Sequence, residues 1–197
     1  NVMQYDDEGY LPDAMINFLA RLGWSHGDQE VFRRDELIEL FSLDAVGRSP
    51  GVWNPEKLLW LNGQYITSLS DERLAEMIAP RISAAGFQDA AADAVMAKRI
   101  ATLKERARTL AELVDQGAFY WRAAEAIEYE AKAKRKFFKP DCLPRLKAAH
   151  AALNQLQNWN DQELEACLAE VLAKLDVKMG KLAQPIRVAI TGTSISP

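Results

Sequence analysis

Arginine and lysine are the side chains in this sequence whose grouping could do chemistry. They fall into three clusters: Lys98, Arg99, Lys104, Arg106 and Arg108; then Lys132, Lys134, Arg135, Lys136 and Lys139; then Lys178, Lys181 and Arg187. An arginine presents a flat fork of donors that can hydrogen-bond the edge of a nucleobase or stack on its face, which is how unstacked loop bases of RNA are read. Arg99 and Arg106 stand two turns apart, on one face, if their segment is a single helix. A charge run is ordinarily a solvated face, and for the middle cluster that is the default reading.

Other chemistry is poorly supplied. A bond-breaking centre needs a nucleophile with a base, paired carboxylates in a cleft, or a metal cluster. His26 sits in a turn between Ser25 and Asp28 and reads as a local hydrogen-bonder, and His150 has no histidine or cysteine one helical turn on. Cys142 and Cys167 lie far apart with no C-x-x-C spacing, so neither a zinc site nor a disulfide framework is indicated, and a reducing compartment fits. No glycine loop of the phosphate-cradling kind is present. The residues therefore offer no catalytic, cofactor-binding or metal-binding set. The formal net charge of -4 means that any nucleic-acid contact must use local patches rather than the overall field. No apolar run approaches the ~18–20 residues of a membrane span and the sequence holds no basic-then-apolar signal segment, so a soluble cytoplasmic protein is expected, without membrane contact.

The elements that must position these groups are helical throughout. Met15, Phe18, Leu19 and Leu22 lie at the spacing of one helical face, bracketed by Pro12 and Gly23. A second short helix should open at Arg34-Asp35-Glu36 with Leu37, Ile38, Leu40 and Phe41 inward, and Gly47 to Gly51 reads as a loop. Trp53 to Ile66 then forms a junction: Asn54 caps, Pro55 begins the helix, Leu58 to Leu61 is buried, and Asn62-Gly63 supplies a left-handed stop. Ser70 caps the next helix, which Pro80 should divide in two before Gly86 ends it. From Asp89 to Gly117 the alanine-rich run is long-helix material, about five to seven turns and broken at most once. Beyond the aromatic trio Phe119-Tyr120-Trp121, a basic helix covers residues 131–138 and another covers 141–156. A capping box at Asn160 and Glu163 opens a further helix, Gly180 separates it from the last one, and Gly192 follows that end, with Pro185 near its first turns. No stretch alternates with period two, so the fold class is all-α.

Three phrases in this chain, in order, resemble bacterial glutamyl-tRNA synthetases. They are the stretch from Asp7 through Gly9 to Asp28, the junction W-N-P-E-K-L-L-W-L-N-G-Q-Y-I at Trp53–Ile66, and M-G-K-L-A-Q-P-I-R-V-A-I-T-G at Met179–Gly192. The resemblance runs over the whole chain and implies the C-terminal, tRNA-binding half of such an enzyme. On that footing residues 1–66 form a small stem-contact domain that braces the tRNA elbow. Residues 67–197 form a helical-cage anticodon-binding domain, truncated at its C-terminus. Asn1-Val2-Met3 begins without an initiator methionine, which fits an excised fragment. The resemblance further implies that Arg99 faces the third anticodon base, that Arg187 belongs to the anticodon pocket, and that Ser196-Pro197 stands where the family has a Thr-Pro flanking the first anticodon base. Glutamate tRNA is the implied partner, a monomer is the implied state, and DNA is not an expected ligand. ATP and Mg2+ belong to the catalytic half of the intact enzyme, whose signature motif is not in these residues, so the fragment should not aminoacylate alone. Two other readings remain open from sequence: a non-discriminating or paralogous synthetase that also acts on glutamine tRNA, which Arg99 argues against, and a helical interaction module without RNA binding.

Overall fold

The computed structural model describes residues 1–48, 50–87 and 94–196. Twelve α-helices occur among them: α1 Val2–Asp7, α2 Pro12–Arg21, α3 Arg34–Leu40, α4 Pro55–Ser68, α5 Asp71–Ala84, α6 Ala94–Leu103, α7 Leu110–Gln116, α8 Ala118–Trp121, α9 Ala131–Phe137, α10 Cys142–Leu153, α11 Asp161–Leu175 and α12 Met179–Thr191. The described residues contain no strand, only an isolated bridge between His26 and Gln29. The chain folds as two compact units, residues 1–121 and 122–196.

Local signals set most helix starts. Asn54, Ser70, Thr109 and Asn160 each accept a hydrogen bond from the backbone N–H three residues on, at 3.1, 3.2, 3.0 and 2.9 Å, filling one of the donors a helix start leaves orphaned. Pro12 and Pro55 stand at first helical positions, where a missing N–H costs nothing. The capping box at Asn160 is half made: Glu163 accepts from the Asn158 side chain at 3.1 Å rather than reaching back to the Asn160 N–H.

Packing overrides the local signals in several places. α4 does not stop at Asn62-Gly63 but runs on to Ser68, with both residues buried inside it. Asn62 serves as a tie instead of a cap. Its side chain accepts from the Leu11 N–H at 2.7 Å and donates to the Arg108 carbonyl at 2.5 Å. Gly63 faces Arg108 so closely that a Cβ there would lie 3.4 Å from it. α5 likewise stays whole through Pro80, because the proline is exposed, where water can serve the carbonyl it strands, while Leu74, Ile78 and Ile82 lie fully buried on the other side. The run toward Gly117 is two helices, since residues 104–106 turn and Thr109 caps a fresh start; residues 88–93 lie outside the described residues. The break before α12 falls at Asp176, in the left-handed region at φ 49°, and Gly180 is inside the first turn of α12. Pro185 is therefore mid-helix and buried, and the Lys181 carbonyl it cannot serve accepts instead from Arg145 Nη1 at 3.4 Å. Leu19 and Ile38, expected inward, are 52% and 75% exposed.

One core in the first unit joins Leu11 and Ala14 of the α2 region to Ile66, Leu74, Ile78, Ile100, Leu103 and Leu113. Ile66 sits inside that single core. A smaller cluster closes Trp24 on Phe32 and Leu37. The second unit is built on Ala149, Val171 and Leu182, where α10, α11 and α12 meet.

Candidate nucleic-acid interface

α6 buries Met96, Ile100 and Leu103 and leaves Arg99 half-buried at the edge of that face. Its guanidinium carbon lies 5.7 Å from the centre of the Tyr120 ring. Tyr120 is itself packed on Phe119, with ring centres 4.1 Å apart, and its hydroxyl stands 3.0 Å from Thr102 Oγ1. Thr102 spends its own proton on the Arg99 carbonyl at 2.7 Å, so the Tyr120 hydroxyl is the donor of that pair. The result is an arginine laid against a ring that a neutral hydroxyl pair holds in place. No carboxylate pairs with it among the described residues, so its donors are not spent on an acid.

Arg187 is set in a similar way. Gly192, at φ 78°, ends α12 in the left-handed region and turns the chain back, so that Ser196 meets the helix it has just left. Arg187 Nε donates to Ser196 Oγ at 2.9 Å, and Thr191 Oγ1 donates to the Arg187 carbonyl at 2.8 Å. The turn is pinned from outside by Glu130, whose N–H donates to the Gly192 carbonyl at 2.9 Å. The structure thus brings Arg187 and Ser196 together. Arg99 belongs to the first unit and Arg187 to the second, and Pro197 lies outside the described residues.

Two other members of the first basic cluster are paired with acids. Lys104 pairs with Asp71 at 2.8 Å, and Arg108 with Glu112 at 3.5 Å. Arg106 lies in the turn after α6, so it does not share a helix face with Arg99. Tyr120 and Thr102 escaped sequence reasoning as partners of Arg99; the aromatic trio was visible, but nothing in its spacing ties a ring to an arginine 21 positions earlier.

The titrating groups carry no sign of acid–base chemistry. Burial pushes the Tyr65 phenol up to about 12, and the hydrogen bond from Lys57 lowers Glu30. Burial raises the Cys142 thiol, the opposite of what an activated nucleophile needs. Among the described residues no three His, Cys, Asp or Glu side chains come together to hold a metal ion. No helix among the described residues is long and apolar enough to cross a membrane.

Among the described residues, then, two half-buried arginines stand beside a ring and a hydroxyl with no carboxylate partner. The model of the anticodon binding domain matches residues 73–197, and the chain belongs to that family. Residues 1–60, most of the 1–66 expected to be the stem-contact domain, match the model of the catalytic domain of class I tRNA synthetases of the E and Q type. Among curated relatives, the glutamate–tRNA ligase of Syntrophobacter fumaroxidans is 44% identical over the whole chain, which covers 42% of it. That of Geobacter sulfurreducens is 43% identical, again over the whole chain and 42% of the relative. The chain therefore spans about two fifths of the length of the curated relatives it matches. The solved glutamate tRNA ligase from Elizabethkingia meningosepticum superposes with a TM-score of 0.84 at 28% identity, covering 98% of this chain and 38% of that one. The all-α expectation and the resemblance read from the three sequence phrases both hold.

Proposed function

We propose that this chain is the tRNA-recognition part of a glutamate–tRNA ligase. Residues 1–66 brace the inner elbow of glutamate tRNA and residues 67–197 read its anticodon. Arg99 faces the third anticodon base, and Arg187, Ser196 and Pro197 form the pocket for the rest. In the intact enzyme, a cytoplasmic monomer, the reaction would join glutamate to that tRNA using ATP and Mg2+. The observation that carries this reading is the setting of the two arginines: half-buried, aligned by a ring and a hydroxyl, and without an acid partner among the described residues. Preorganised donors of this kind lose little freedom on meeting a base, and a bidentate arginine contact is worth about 1–3 kcal/mol of discrimination, by analogy with DNA base edges.

Fluorescence titration of the chain with glutamate tRNA, and with the same tRNA altered at the third anticodon base, tests the reading at two salt concentrations. Salt-sensitive binding that weakens about 5- to 100-fold on the altered anticodon is expected, the span that corresponds to about 1–3 kcal/mol. Arg99→Gln should erase that preference. Binding equally tight to both tRNAs, or a preference that survives Arg99→Gln, would remove Arg99 from the site.

A further inference from the structure

α9 carries a row of cations on one face. Lys132, Arg135 and Lys136 follow at i, i+3 and i+4, Lys139 lies just past the end of the helix, and all four are exposed. Together they line one open hollow of about 590 Å³. Ala133, about 100° round the helix from Lys132, is 1% exposed, and its burial fixes the orientation of the row. No acid interrupts the sequence from Ala131 to Pro140, and no carboxylate pairs with any of the four among the described residues. The nearest acids in sequence lie outside the row: Glu130 at the start of α9, and Asp141, which is paired with Arg145.

Like charges at this spacing repel each other within a helix. A chain with net charge -4 has carboxylates to spare for such a face, and uses none here. Solvent exposure alone is satisfied equally well by mixed signs, so the uniform sign needs a polyanion to balance it. The segment's placement says which one. Glu130 holds the Gly192 carbonyl, and the Tyr129 hydroxyl donates to the Ala189 carbonyl at 3.3 Å. α9 is thus strapped to the end of α12, the helix that carries Arg187 and whose exit brings Ser196 to it.

We propose that the α9 row is a cradle for the phosphate backbone of RNA, supplying affinity without base identity beside the Arg187 pocket. The proposal rests on the anticodon-reading function and adds to it a second, sequence-blind contact. Each phosphate neutralised releases counterions, so log K falls with log salt by about 0.7 for each contact to a single strand. Up to four cations would supply a slope of about 2 to 3.

The test is the salt dependence of tRNA binding by the full chain, wild type against the variant K132Q, R135Q, K136Q and K139Q combined. The variant should lose about 2 to 3 units of slope and weaken equally toward the cognate and anticodon-altered tRNAs, leaving their ratio intact. Its thermal midpoint without RNA should be unchanged or slightly higher, because repulsion within the helix is relieved; this separates lost contact from lost fold. An unchanged slope in the variant overturns the cradle while leaving base reading by Arg99 and Arg187 standing. A changed anticodon ratio would assign the row to base reading and overturn it too. Polyglutamate is the probe for an acidic protein partner: binding it as tightly as tRNA, with the same loss in the variant, would assign the row to that partner and overturn the proposal. If the wild-type chain binds no tRNA, the anticodon reading fails and the cradle with it.

Discussion

Replacing Asn62 with leucine isolates what one buried amide does for this fold. The side chain is completely buried, accepts from the Leu11 N–H at 2.7 Å and donates to the Arg108 carbonyl at 2.5 Å. Leucine keeps the volume and suits a helix better than asparagine by roughly half a kcal/mol. It leaves two backbone groups buried with no partner, each costing about 1–3 kcal/mol, or about 2–6 together. The apolar replacement returns up to about 2 kcal/mol, so with the helix gain the net change should lie between a gain of about 0.5 and a loss of about 3.5 kcal/mol. Urea unfolding followed by tryptophan fluorescence reads this directly, because Trp24, Trp53, Trp60 and Trp121 all lie in the unit that Asn62 ties, while Trp159 lies in the other. The transition of the first unit should move to lower urea with its slope preserved. A variant more stable than wild type by over about 0.5 kcal/mol at unchanged slope would refute the reasoning, since it would mean that water or a shifted backbone satisfies Leu11 and Arg108 without cost.

Two other perturbations test the turn behind Arg187 and the buried phenol. Gly192→Ala puts a Cβ where φ is 78° and against the Glu128 carbonyl oxygen; it should destabilise the second unit by about 1–3 kcal/mol and weaken tRNA binding through the displaced Ser196, as melting and titration would show. Tyr65 donates to the Phe32 carbonyl, and burial raises its pKa from 10.0 to about 12. A raised folded-state value means that its stabilisation is whole below pH 10 and is lost as pH climbs toward 12. Tyr65→Phe should therefore flatten the fall in stability across that window relative to wild type, measured by urea midpoints, and an identical fall in both proteins would contradict the assignment.

The sequence by itself determined the all-α class, most helix starts and the family. These follow from features that act within a few residues: capping side chains, prolines at first turns, apolar spacing, and phrases whose order survives without coordinates. Arg99, Arg187 and Ser196 were likewise named from the resemblance carried by those phrases. Tertiary structure decided where local rules yield. Asn62-Gly63, the standard signal for a helix end, lies inside α4 because Leu11 and Arg108, 51 and 46 positions away, claim the amide. Pro80 and Pro185 are held inside helices by burial on the flanking turns, and at Pro185 the stranded Lys181 carbonyl is taken by Arg145. Tyr120 reaches Arg99, and Ser196 reaches Arg187, only because distant elements are folded together. Capping and periodicity are encoded in neighbours along the chain. Hydrogen bonds and ring contacts between remote segments depend on the packing of the core, and that is why the settings of the arginines became legible only in three dimensions.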